Sequence, residues 1–95
     1  MQIIKDELYL QSLQSILEYI AKDSYTRADN FLNTLDKHLN TLTHFSYKFR
    51  QSLHYNNKQI RDCIFKGYTI PYLIDEEKKL IVILDIFKWI DKKIV

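Results

Sequence analysis

The sequence has few of the residues that interrupt or cross-link a chain: one glycine, one proline and one cysteine among 95 residues. The phosphate-binding loops, serine-hydrolase elbows and dinucleotide fingerprints that need glycine at fixed offsets are therefore excluded. The single Cys63 excludes an internal disulfide and a zinc site built from several thiolates, and we expect it to be a small buried side chain. The same shortage of glycine and proline predicts that nearly all of the chain is regular structure.

Long apolar runs are also absent. No segment approaches the roughly 20 apolar residues of a membrane-spanning helix, and the N-terminus lacks the charged and then apolar order of a signal peptide. These absences predict a cytoplasmic protein. With 46% hydrophobic and 27% charged residues, the chain has the composition of one globular domain spanning residues 1–95.

Three histidines suggest a metal site at first sight. However, His38, His44 and His54 are not at the i, i+4 spacing of a helical ligand pair, and no carboxylate motif accompanies them. Zinc normally requires three or four converging protein ligands. We therefore expect no metal and no cofactor.

Charge is distributed unevenly although the net charge is only +2. Residues 1–47 hold 4 basic and 6 acidic side chains, whereas residues 48–95 hold 10 basic and 6 acidic. Aromatic residues lie among the basic ones, and lysines flank Trp89 near the end of the sequence. This pattern fits a solvated face as well as it fits a surface for phosphates and bases or for an acidic partner.

Apolar periodicity predicts a strand at residues 1–5 followed by two helices. Asp6 and Ser24 can cap the helices, because each side chain can accept hydrogen bonds from a first helical turn. The short connection Lys22 to Ser24 predicts an antiparallel helical hairpin. The predicted buried positions recur every three or four residues and are Leu8, Tyr9, Leu13, Ile16, Leu17 and Ile20, then Ala28, Phe31, Leu32, Leu35, Leu39 and Leu42.

The second half of the sequence has the period of strands. Residues 45–58 predict an ordered but irregular connection, followed by strands at 60–66, from Tyr68 to Ile74, and at 80–87, with turns at Gly67 and at 75–79. The run from Leu80 to Phe87 is typical of a central strand covered on both faces. Pro71 cannot donate to a sheet ladder, so it predicts an edge or a bulge. The predicted fold class is α+β, with the helical hairpin packed on a mainly antiparallel sheet.

This order of elements resembles the RelE/ParE superfamily of bacterial toxins from type II toxin–antitoxin systems. The residues that carry the resemblance span nearly the whole chain. They are the helix end Leu17-Glu18-Tyr19-Ile20-Ala21-Lys22-Asp23-Ser24, the second helix with Ala28 and Phe31, Arg61, Phe65-Lys66-Gly67-Tyr68, Tyr72, and Val82-Ile83-Leu84 before Phe87.

The resemblance implies a cognate antitoxin as partner and one of two targets. RelE-like members cut messenger RNA on the ribosome and need a proton acceptor, a proton donor and cations around the phosphate. ParE-like members lack that set and inhibit DNA gyrase. This chain has Thr69 where the family often has arginine, and no histidine after His54. We therefore expect a ParE-like toxin; an endoribonuclease and an inactive antitoxin-binding module are the alternatives.

Several basic residues are candidates for contact with the target. Arg61 corresponds to the arginine of the family's first meander strand, with pairing to Asp62 or Asp85 as its structural alternative. The expected target-binding set is Arg61, Lys66, Lys88, Trp89, Lys92 and Lys93. If the chain is a ribonuclease, the expected catalytic residues are Arg61, Lys66 and Lys88.

Overall fold

The computed structural model describes residues 1–88, in which a helical hairpin covers one face of a five-stranded sheet. In the described part of the chain, no helix is long and apolar enough to cross a membrane. The α+β architecture predicted from the sequence is confirmed. In chain order, the elements are β1 (Gln2–Lys5), α1 (Glu7–Ala21), α2 (Tyr25–Asn40), a 3-10 turn (Thr41–Thr43), β2 (Ile60–Phe65), β3 (Tyr68–Asp75), β4 (Leu80–Ile83) and β5 (Phe87–Lys88).

Both helices begin at the caps that the sequence predicts. The Asp6 carboxylate accepts a 3.1 Å hydrogen bond from the Leu8 N–H, and the Ser24 hydroxyl accepts one of 3.2 Å from the Arg27 N–H. Each bond satisfies an N–H that has no partner within its helix. The two caps therefore fix the residues at which the helices of the hairpin begin.

The sheet has the strand order β1-β4-β3-β2, with β5 paired to β3 beyond the end of β4. Neighbouring strands are antiparallel except for β1, which runs parallel to β4. The central position predicted for the run after the acidic turn is therefore confirmed for β4. Alternate strand residues face the helices and form the core with them; its fully buried residues include Tyr9, Leu35, Leu39, Leu42, Cys63, Ile70, Tyr72, Ile74, Ile81, Ile83 and Ile86.

Lys66 and Gly67 form a two-residue turn between β2 and β3. The backbone φ angles are +48° at Lys66 and +83° at Gly67, and the last strand pair on either side is Phe65 with Tyr68. Two consecutive positive φ angles are the geometry of a type I′ hairpin, whose twist matches that of the strands. The predicted turn at Gly67 is confirmed, although strand β2 ends at Phe65 rather than at Lys66.

A one-residue bulge divides the predicted strand 80–87. Tyr72 pairs with Ile83 and Thr69 pairs with Phe87, so the three residues 84–86 lie opposite the two residues 70–71. Pro71 lies at this bulge, as its missing N–H predicts. A single continuous strand is therefore the wrong prediction for this run, because the ladder is interrupted where proline cannot donate.

Two burial predictions are wrong. Leu8 is 49% exposed, because it lies about 100° around α1 from the buried Tyr9 and points past the edge of the core. Val82 is only half-buried, because the helices cover one face of β4 rather than both. Residues 45–58 form the predicted irregular connection, which includes one bridge from Gln51 to Arg61.

Candidate functional site

Lys66 and Lys88 lie at the same end of the sheet. Lys66 is in the β2–β3 turn, and Lys88 pairs with Tyr68, the first residue after that turn. Both side chains are exposed. We call this pair of lysines the basic end; two of the basic residues predicted for target binding are therefore neighbours in the fold.

The ammonium groups of the two lysines of the basic end each lie over an aromatic ring. The Lys66 Nζ lies 5.5 Å from the centroid of the Phe65 ring, and the Lys88 Nζ lies 5.9 Å from the centroid of Tyr68. The Phe31 ring from α2 packs edge-to-face on both rings, with centroid distances of 5.5 Å in each case. Each ammonium gains a cation–π attraction. One aromatic cluster thus positions both charges.

The structure adds Arg27 and Asn30 to this end of the molecule. They line a cup of about 370 Å³ together with Lys66, Ile20 and Phe31. Sequence reasoning missed Arg27 because it is distant from the basic C-terminal half. A signal was present in the sequence, since a cation in the first turn of a helix is unfavourably placed in the helix dipole.

Arg61 lies away from the basic end. It pairs with Tyr72 of β3. Along β2, Arg61 lies four residues before Phe65, which corresponds to about 13 Å in an extended strand. Its Nη1 donates a 2.8 Å hydrogen bond to the Phe49 carbonyl, and its guanidinium lies 5.0 Å from the centroid of the Tyr47 ring. These contacts attach the irregular connection to the sheet.

The structural alternative for Arg61, pairing with a carboxylate such as Asp62 or Asp85, is wrong for the described residues. The ion pairs within residues 1–88 do not include Arg61. The Asp62 carboxylate instead accepts a 3.1 Å hydrogen bond from the Leu53 N–H, and that of Asp85 accepts one of 2.7 Å from the Ser12 hydroxyl. The Asp62 carboxylate therefore binds the backbone of the irregular connection, and the Asp85 carboxylate binds a side chain of α1.

Cys63 is fully buried in the core, as expected. Burial raises the pKa of its thiol to about 12, against a smaller lowering effect of Lys48. A thiol with so high a pKa carries almost no thiolate at neutral pH, and the thiolate is the nucleophilic form. Cys63 is consequently a packing residue.

The histidines pack against aromatic rings. His38 lies 5.2 Å from the Phe65 centroid, and His54 lies 5.1 Å from that of Phe87. In residues 1–88, no three side chains of His, Cys, Asp or Glu are grouped so that they could hold a metal ion. The predicted target-binding residues Trp89, Lys92 and Lys93 lie outside the described residues.

The helical hairpin on a sheet with the strand order β1-β4-β3-β2 is shared with a solved structure. A solved chain titled "Chromosomal ParDE TA system from P. aeruginosa" has the same fold. It is 14% identical to this chain, covers 93% of it and 95% of its own length, and has a TM-score of 0.74. No curated protein matches the sequence significantly.

The family assignment rests on a match between the amino-acid sequence and a protein-family model. The model described as "ParE toxin of type II toxin-antitoxin system, parDE" matches residues 3–88. The chain belongs to the ParE toxin family. It is thus the toxin component of a type II toxin–antitoxin system, and a cognate antitoxin is its partner.

Proposed function

We propose that this toxin acts in the cytoplasm by inhibiting DNA gyrase and does not itself cut nucleic acid. The observation that carries the proposal is the juxtaposition of Lys66 and Lys88 on one aromatic cluster. Trp89, Lys92 and Lys93 come after Lys88 in the sequence and are proposed as further target-binding residues. Membership of the ParE family supports gyrase as the target.

The arrangement gives less support to a ribonuclease. Cleavage by a ribose hydroxyl needs a base, an acid and cations around one phosphate. Arg61 is separated from Lys66 and Lys88 by most of a strand, and its guanidinium is engaged by Phe49 and Tyr47. An ordinary lysine, with a pKa near 10.4, is a poor base at neutral pH.

In this proposal, Arg61 contributes indirectly to target binding. Its contacts hold residues 47–49 against the sheet, next to the exposed cations Lys48 and Arg50. The bond from the Asp62 N–H to the Arg50 carbonyl, at 3.2 Å, fixes the same segment. Arg61 is therefore proposed as a positioning residue for a second group of cations.

Supercoiling by purified gyrase tests the proposal. The double variant Lys66→Asn, Lys88→Ala removes both charges, and asparagine tolerates the positive φ angle at position 66. We expect about tenfold more of this variant to be needed for half-inhibition, because two charges are lost from the contact surface. The matched control is Lys37→Ala, Lys58→Ala, two exposed lysines elsewhere, which should inhibit like the unchanged chain.

Pulse labelling after induction of the toxin alone separates the alternatives. The proposal requires DNA synthesis to fail before protein synthesis. Protein synthesis failing first, with messenger RNA cut in a reaction of purified toxin and ribosomes, would favour the endoribonuclease. Unchanged synthesis and an unchanged colony count would favour an inactive antitoxin-binding module.

A further inference from the structure

A cup between α2 and the β2–β3 turn has an apolar floor and a basic rim. Ile20 and Phe31 form the floor, and Arg27, Asn30 and Lys66 surround it. The three rim side chains are exposed, whereas Phe31 is 8% exposed. We call these five residues the hairpin cup.

The two cations of the hairpin cup are not neutralised by a carboxylate of the described residues. Within residues 1–88, neither Arg27 nor Lys66 forms an ion pair with a carboxylate, and no acidic residue lines the cup. Arg27 also lies in the first turn of α2, which contains no acidic side chain. A negative charge brought into the cup would therefore be attracted by both cations and by the helix dipole.

The floor of the cup favours a peptide over a nucleic acid. The Phe31 ring is packed edge-to-face on Phe65 and on Tyr68, and little of it is exposed. It therefore offers no free face on which a base could stack, and stacking is what aromatic residues contribute to binding of single strands. Ile20 is only half-buried and leaves apolar surface exposed on the floor, so an aliphatic side chain next to a carboxylate would contact the floor and the rim together.

We infer that the hairpin cup binds an acidic segment of the cognate antitoxin, with an aliphatic side chain on Ile20 and Phe31 and carboxylates beside Arg27 and Lys66. This inference rests on the toxin–antitoxin function. Because Lys66 also belongs to the basic end, an antitoxin seated in the cup covers part of the proposed target surface. The antitoxin would then neutralise the toxin by blocking contact between Lys66 and the target.

The first test uses a defined probe and the full chain. The probe is a tripeptide of two glutamates around a leucine, acetylated and amidated, and amide shifts are followed by NMR. We expect saturable shifts at Asn30, Lys66 and Gly67. A tripeptide with lysines in place of the glutamates should cause none. Shifts confined to other surfaces, or equal shifts with both peptides, would overturn the inference.

Arg27→Glu is the informative variant, because it reverses the rim charge without removing a core contact. A glutamate in the first turn is favoured by the helix dipole, so the fold should be retained. We expect at least about tenfold weaker peptide binding. The matched control Lys58→Glu makes the same charge change on an exposed residue before β2 and should bind like the unchanged chain.

Two further arms separate this inference from the proposed function. Arg27→Glu and the control Lys58→Glu are each induced to the level that gives the same growth inhibition without antitoxin, and co-expression of the cognate antitoxin should then rescue growth less well from Arg27→Glu. If antitoxin rescues this variant fully, the inference is wrong whatever the target is. If a twelve-residue oligothymidylate binds the cup more tightly than the acidic tripeptide, the cup is a nucleic-acid site and the inference is likewise overturned.

Discussion

The Ser12 hydroxyl donates a 2.7 Å hydrogen bond to Oδ1 of Asp85, although the two residues are 73 positions apart. The same oxygen accepts a 2.8 Å bond from the Ile86 N–H. Asp85 is 8% exposed and lies in the bulge between β4 and β5. This contact therefore joins helix α1 to the point where the central ladder is interrupted.

Removing this contact should destabilise the fold. We expect Ser12→Ala to lower the free energy of unfolding by about 1–3 kcal/mol, because a buried carboxylate oxygen loses a hydrogen-bond donor. Urea denaturation followed by circular dichroism measures the change. Ser15→Ala on the same helix is the control, since Ser15 is exposed and its hydroxyl donates a long bond of 3.4 Å to the Gln11 carbonyl. Equal effects of the two changes would contradict the role given to Asp85.

The β2–β3 turn depends on Gly67 for backbone reasons alone. At its φ of +83°, no described atom lies within 4 Å of the position that a Cβ would take. Gly67→Ala should therefore cost about 1–2 kcal/mol through conformational strain rather than through a clash. Gly67→Asn should cost less, because asparagine tolerates positive φ angles. A larger cost for asparagine, measured by thermal unfolding, would show that space and not backbone conformation is limiting.

Arg61 should be required for order in the irregular connection more than for charge. Arg61→Lys keeps the charge but loses the guanidinium geometry that reaches both the Phe49 carbonyl and the Tyr47 ring. We expect faster amide hydrogen exchange in residues 47–52 and a loss of about 1–2 kcal/mol in stability. Arg50→Lys, a matched change at an exposed position, should leave exchange unaltered. Unaltered exchange in Arg61→Lys would contradict the positioning role.

Stability should fall at high pH because of Cys63. Burial raises the pKa of its thiol from the ordinary value of 9.0 to about 12. Above pH 9 the unfolded chain releases this proton while the folded chain retains it, so unfolding is favoured by rising pH. The loss between pH 9 and pH 12 should be up to about 1.4 kcal/mol for each pH unit.

The variant Cys63→Ala tests the origin of this slope. Denaturation of both chains from pH 8 to pH 11 should show a shallower decline for the variant. Part of the decline should remain, because burial also raises the pKa of Tyr72, to about 12. Identical slopes for the two chains would show that Cys63 does not contribute.

Local sequence signals predicted most of the fold. Ser24 could be identified as a cap because its partner is only three residues away. The bulge that divides residues 80–87 into β4 and β5 could not be predicted from local signals, because Asp85 in the bulge is bound by Ser12 of helix α1, which is distant in the sequence. Pro71 indicated an irregularity in the ladder, but its pairing partners became visible only in the sheet register.

The candidate site was less predictable because it combines separate segments. Lys66 and Lys88 could be proposed from charge alone. Arg27 joins them only because α2 lies over the β2–β3 turn and places Phe31 on Phe65 and Tyr68. For Arg61, charge left target contact and a carboxylate partner as alternatives, whereas in the fold its guanidinium donates to a backbone carbonyl.

The parallel pairing of β1 with β4 has a consequence for the timing of folding. Gln2 pairs with Leu80, so β1 cannot dock until the ribosome has synthesised and released the residues of β4. At about 5–20 residues per second, the two strands are made several seconds apart. During that interval the sheet of the nascent toxin lacks both β4 and the parallel pair that β4 makes with β1.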